Sequence, residues 1–197
     1  MLIQTFALFA AALGVAAKPL GRPVVTDTHL FAYGKGISGL PIVRVKGMSP
    51  LANNTPLGQE QNLTTANLDG AYLMGNESTA VMPPVQNVTF SCTTENRTLQ
   101  SSTEGQSGQN ATQANLFGFN KETGLAVFTD LGDAAVSTQG FIFFGSMLFV
   151  DVSKKMEAAW TARRVQVEGQ SMFEVSWNST AEDALPIQLN TRAPMHQ

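Results

Sequence analysis

The chain has 197 residues, 43% of them hydrophobic and 14% charged, with a formal net charge of −3. That length can bury one ordinary core, and its scattered Lys and Arg residues form no basic stripe, which argues against nucleic acid as a partner. With one cysteine and two histidines, His29 and His196, neither close in sequence to a second ligand, no metal or cofactor is expected.

Residues 1–17 run Met-Leu-Ile-Gln-Thr-Phe-Ala-Leu-Phe-Ala-Ala-Ala-Leu-Gly-Val-Ala-Ala. An apolar stretch of this length ending in small residues reads as a secretory signal peptide cleaved after Ala17, and it is too short for a membrane span. No later segment is apolar for long enough to cross a bilayer, and the C-terminus lacks the hydrophobic tail of a lipid-anchor signal. Residues 18–197, with no dividing linker, are expected to form a single domain.

The first predicted strands are His29 to Tyr33 and Pro41 to Lys46. Between them, Gly34, Gly36 and Gly39 have the GxGxxG spacing of a dinucleotide fingerprint, which requires a helix next. Here Leu40-Pro41-Ile42-Val43 follows, so the glycines read instead as turn residues between strands. Ser38 in the same stretch lacks the second glycine of a nucleophile elbow.

Further strands are predicted at Ala71 to Met74 and Val85 to Ser91, amid a cluster of glycosylation sequons. Seven sequons occur, at Asn53, Asn62, Asn76, Asn87, Asn96, Asn110 and Asn178. Random placement of 12 Asn against 32 Ser and Thr gives about two, so behind a signal peptide the excess reads as a true N-glycoprotein. Six of the seven precede residue 111, which leaves residues 115–175 bare and makes that half the better candidate for a partner-binding face.

Cys92 is the only cysteine, so no disulfide can form within the chain. It reads either as a buried, inert thiol or as the site of an intermolecular disulfide giving a homodimer. The polar stretch Thr93 to Ala114 is expected to be a long surface loop.

Beyond it, strands are predicted at Asn115 to Phe119, Ala126 to Thr129, Gly140 to Phe144, Met147 to Val152, Ala158 to Val165, Met172 to Trp177 and Ile187 to Leu189. Gly145-Ser146 supplies the Gly-X pair of a type II′ hairpin turn, and Glu168-Gly169-Gln170 turns the chain again. Phe141 to Phe144 is apolar on both faces and is expected to be a central, fully covered strand. Alternation in the next two strands puts Trp160 beside Ala158 and Ala162, and Trp177 beside Phe173 and Val175. This pattern favours core packing over an exposed platform, although Trp160, Trp177, Tyr33 and Tyr72 are the residues able to stack on sugar rings.

The fold expected from this spacing of short strands is all-β, a single-domain antiparallel β-sandwich of jelly-roll-like form. Paired carboxylates could serve a polysaccharide-active enzyme, with Asp130, Asp133, Asp151, Glu157 and Glu174 as candidates. None is singled out by spacing, and Asp130-Leu131-Gly132-Asp133 reads more simply as an Asx-type turn.

The stretches HLFAYGKGISGLPIV, GFIFFGSMLFVDV, AAWTA, FEVSWN and PIQLNTRAP resemble a broad group of small secreted proteins of filamentous fungi. That resemblance implies a fungal source and an extracellular or cell-wall location, and transfers no catalytic residue. The sequence thus leads to a secreted, N-glycosylated, non-catalytic protein associated with the fungal surface, with cell-wall polysaccharide or an extracellular protein as its partner. Two alternatives stand beside it: a two-carboxylate polysaccharide enzyme, expected to show a cleft with close carboxyls, and an interaction protein such as an effector or antigen, expected to expose an apolar patch.

Overall fold

The computed structural model describes residues 25–45, 69–74, 85–103, 115–129, 133–167 and 170–195. The strands run β1 Phe31–Gly34, β2 Ile37–Val45, β3 Asp69–Leu73, β4 Val85–Cys92, β5 Leu99–Thr103, β6 Asn115–Asn120 and β7 Ala126–Thr129. They continue as β8 Val136–Ser137, β9 Phe141–Phe144, β10 Met147–Val152, β11 Lys155–Glu157, β12 Trp160–Val167, β13 Gln170–Trp177 and β14 Leu185–Asn190. The described residues contain no helix, so none is long and apolar enough to cross a membrane. The described residues are all-β with antiparallel pairing throughout, in the sandwich-like class expected from the sequence.

Pairing follows the order β1-β2-β4-β5-β6-β7-β3-β13-β12-β14-β10-β11, with β9 on β10 and β8 on β6. Because β2 also pairs with β3, and β14 also pairs with β1, the circuit β1-β2-β3-β13-β12-β14 returns to its first strand. Closing strands on one another in this way leaves the six strands of the circuit without free edges and, apart from two smaller clusters around Tyr72 and Val127, wraps backbone around one main apolar interior. That interior is aromatic. Phe117 touches Phe90, Phe128, Phe141 and Trp160 at ring-centroid distances of 5.6–5.8 Å, and Phe119 stacks on Trp177 at 5.4 Å.

The glycines of the GxGxxG spacing are turn and bulge residues. Gly36 makes the β1–β2 turn at φ 76°, a conformation that costs glycine little. Gly39, at φ 74°, is the extra residue where the register slips, since Tyr33 pairs with Ser38 but Ala32 pairs with Leu40. The hairpin expected at Gly145-Ser146 forms between β9 and β10, with Gly145 at φ 61°. The turn predicted at Glu168-Gly169 lies outside the described residues.

Two expectations are corrected. The stretch from Thr93 is not loop throughout, because Leu99–Thr103 is strand β5, held by β4 on one side and β6 on the other. Leu99, Ser101 and Thr103 alternate inward, but two of these three are small and polar, so the apolar signal of a strand is nearly absent. Residues 104–114 lie outside the described residues.

The second correction concerns Phe141–Phe144. It is not a central covered strand: it pairs with β10 alone among the described residues, and its last residue, Phe144, is 68% exposed. Apolar residues on both faces here mean that one face packs on the core and the other meets solvent.

Candidate functional site

The exposed side of β9, β10 and β11 follows from their register. Phe141 pairs with Val150 and Phe143 with Leu148, and these four residues point to the core. Their neighbours Ile142, Phe144, Met147 and Phe149 therefore share the opposite face, since residues paired across antiparallel strands lie on the same side. Met156 joins them through its partner Asp151, and is 51% exposed. The Phe144 and Phe149 rings meet edge to face at 6.5 Å, and Met147 connects this group to Asn190 on β14. At its margin Arg97 donates to the Asp151 carboxylate at 2.5 Å. Aromatic side chains, methionines and an arginine on a nearly uncharged sheet face are the residue types that concentrate in protein-binding cores. None of these strands carries a sequon; Asn96 lies in the turn just before Arg97, at the border.

A second feature is a cleft of about 660 Å³ between the β6–β7 turn and the segment after β13. Its apolar floor is the Phe119–Trp177 stack, and its walls include Asn120, Lys121, Glu122, Thr123, Asn178 and Thr180. Asn120 Oδ1 shapes one wall by accepting the backbone N–H groups of Glu122 and Thr123, each at 2.9 Å. The other wall is pinned where Trp177 N donates to Gly124 O and Asn178 N to Ala159 O, both at 2.7 Å. Gly124 must be glycine here, at φ 74° with a Cβ position 2.3 Å from the Trp177 carbonyl oxygen.

The residues singled out from the sequence fall in separate places. Trp160 and Tyr72 are buried and offer no stacking platform. Trp177 is 8% exposed and reaches the surface only as part of the cleft floor. Tyr33 is half-buried on β1, its hydroxyl donating to the Arg192 carbonyl at 2.8 Å. These four residues build no shared aromatic face.

The carboxylates are dispersed as well. Glu174 accepts from Arg163 at 2.9 Å, Asp151 from Arg97, and Asp133 closes a turn by accepting from Ala135 N at 2.9 Å. Glu157 is exposed on β11, and Asp130 lies outside the described residues. The cleft contains one carboxylate, Glu122, so it lacks the carboxyl pair of a glycosidase. No group of three or more metal-ligating side chains occurs among the described residues.

Cys92 pairs in register with the fully buried Leu99 and packs against the core, with Sγ 4.0 Å from the Phe141 carbonyl. Burial raises its pKa, which disfavours the thiolate that disulfide formation requires. Among the sequons, Asn87 on β4, Asn96 and Asn178 are all exposed, as attachment of sugar demands. Asn53, Asn62, Asn76 and Asn110 lie outside the described residues.

Sequence reasoning found the bare half of the chain but missed the face itself. The available signal was local: a doubly apolar strand leading through a tight turn to Met147 and Phe149, then to Lys155-Met156-Glu157, whose flanking charges mark an outer strand. No family model, curated protein or solved structure matches this chain, so its own residues carry the functional argument.

Proposed function

We propose that this chain is an exported, N-glycosylated, non-catalytic protein that binds an extracellular protein partner through the outer face of β9, β10 and β11. The observation that carries this reading is the exposure of Phe144 and Met156 on one sheet face, at 68% and 51%, within the sequon-free half. Apolar side chains clustered in this way are a usual mark of an interaction site, because docking removes them from water. Export is supported by the apolar N-terminus, the sequon excess and the resemblance to secreted fungal proteins. A partner that is protein fits better than polysaccharide because the face is built of Phe and Met side chains with few hydrogen-bonding groups, whereas sugars demand many.

The test is retention of the purified glycoprotein on fungal cell surfaces and on insoluble chitin, β-glucan and cellulose. Retention on cells that protease treatment abolishes, together with no retention on the polysaccharides, supports the reading. Retention on a polysaccharide that free sugar competes away would replace it with carbohydrate binding.

A further inference from the structure

The cleft and the sequon beside it point to one occupant. We propose that the N-linked glycan on Asn178 folds back so that its first N-acetylglucosamine lies in the cleft over the Phe119 ring, which Trp177 backs. This inference rests on the exported reading above, since only an exported chain meets the glycosylating machinery. In that machinery Asn178 Nδ2 attacks the anomeric carbon of a lipid-diphosphate-linked sugar; the lipid diphosphate leaves and Nδ2 gives up a proton.

Three observations carry it. Asn178 is both a sequon residue and part of the cleft wall, directly after the floor residue Trp177. The floor is the half-buried Phe119 ring, backed by the 8% exposed Trp177 ring stacked on it at 5.4 Å and 23°, while Asn120, Ser137, Thr123, Ser179 and Thr180 offer amide and hydroxyl groups around it. An apolar floor with polar walls suits a pyranose, whose axial C–H faces are apolar and whose rim is hydroxylated. Finally, the attachment point is fixed: Asn178 sits at φ 52°, a left-handed conformation that Asn tolerates, and its N–H is bonded to Ala159.

Tethering decides between a linked sugar and a free one. A sugar bonded to the cleft wall has an effective concentration in the millimolar range or above, so contacts too weak to capture a free N-acetylhexosamine still hold a linked one. The volume of about 660 Å³ falls within the range of ligand pockets and exceeds what one sugar ring requires.

The experiment uses the secreted glycoprotein trimmed enzymatically to single N-acetylglucosamine stubs. The stub at Asn178 should show sugar-proton resonances shifted upfield by the Phe119 ring, with cross-relaxation to its ring protons. Thr180→Ala, which abolishes the sequon, should lower Tm by about 2–4 °C, whereas Thr180→Ser, which retains it, should not. Removing the Asn96 glycan with Asn96→Gln should leave Tm unchanged, and Thr180→Ala in protein made without glycans should do likewise. Free N,N′-diacetylchitobiose should leave the tryptophan fluorescence of the glycoprotein unchanged. Occupied Asn178 with unshifted sugar resonances would overturn the inference, as would an empty Asn178 beside occupied sequons, or a saturable response to free sugar in the fully glycosylated form. A secreted preparation with every sequon empty would instead overturn the exported glycoprotein reading, and this inference with it.

Discussion

Trp160 and Trp177 stand directly opposite each other on β12 and β13, their ring centroids 4.9 Å apart and their planes at 72°. The pair joins two aromatic groups, since Trp160 also meets Phe117 and Phe141 while Trp177 stacks on Phe119. Trp160→Ala is expected to cost about 3–5 kcal/mol, the usual loss for truncating a buried aromatic. Trp177→Phe retains most of the packing and should cost less than half as much. Urea unfolding followed by circular dichroism checks both, and a Trp160→Ala loss under about 1 kcal/mol would contradict this account of the core.

Tyr72 is fully buried on β3, and its hydroxyl has no hydrogen-bond partner among the described residues. Burial, with a smaller contribution from the Glu174 charge, pushes its pKa from 10.0 up to about 12. The folded state therefore holds the proton more tightly than the unfolded chain, so this group's contribution is complete below pH 10 and falls as pH rises from 10 to 12. Tyr72→Phe should gain about 1 kcal/mol at neutral pH by removing an unpaired buried polar atom. It should also flatten the alkaline loss of stability, and melting curves across that window would show whether it does.

Glu174 lies beside Tyr72 in register and is 4% exposed. Burial raises its pKa, opposed by the Arg163 hydrogen bond and charge and reinforced by the charge of Asp183. A raised carboxyl favours the folded state while protonated, so its contribution is present below the ordinary carboxylate range and lost as pH climbs through the folded value. Glu174→Gln removes that titration. The stability of wild type relative to the variant should fall as pH rises above the ordinary carboxylate range, and parallel curves would show that Arg163 fully offsets the burial.

How much of this is legible in the sequence depends on whether the apolar pattern is unambiguous. Trp160, Ala162, Val175 and Trp177 alternate cleanly with polar neighbours, and β12 and β13 form with those residues inside. Strand β5 is illegible because Ser101 and Thr103 are buried through strand pairing, with Ser101 Oγ bonded to the Asn115 carbonyl, and neither residue type signals a core. The exposed face is hidden for the opposite reason. Four apolar residues in succession carry no alternation, so Phe141-Ile142-Phe143-Phe144 sorts into inner and outer side chains only once β10 is seen pairing on one side. The cleft is not readable at all, since Phe119 and Trp177 are 58 positions apart and meet only through the β6–β7 turn.

Gly39 couples the β1–β2 bulge to the end of the chain. A Cβ placed on it would lie 2.7 Å from the Pro194 ring, and its φ of 74° is strained for any other L-residue. Gly39→Ala should cost about 1–3 kcal/mol. Combining it with Pro194→Gly, which removes Cβ together with the rest of the ring, should recover part of that loss, by relieving the clash, and leave the backbone part. Full recovery in the double variant would mean that the backbone conformation contributes nothing, and no recovery that the Pro194 contact does not matter.

Phe144 separates binding from folding. At 68% exposure it has little to lose on unfolding, and its contact with Phe149 is an edge-to-face pair at 6.5 Å on the solvent side. Phe144→Ser should therefore change unfolding free energy by no more than about 0.5 kcal/mol, the ordinary range for a surface substitution. If this face docks a protein partner, the same change removes an aromatic anchor, and such anchors are worth about 2 kcal/mol or more when desolvated, about a 30-fold loss of affinity. Met156→Ser, on the neighbouring strand, should weaken retention in the same direction without unfolding the protein. Retention on cell surfaces unaltered in both variants, with stability also unaltered, would move the binding site off this face and leave its apolar side chains without a role in recognition.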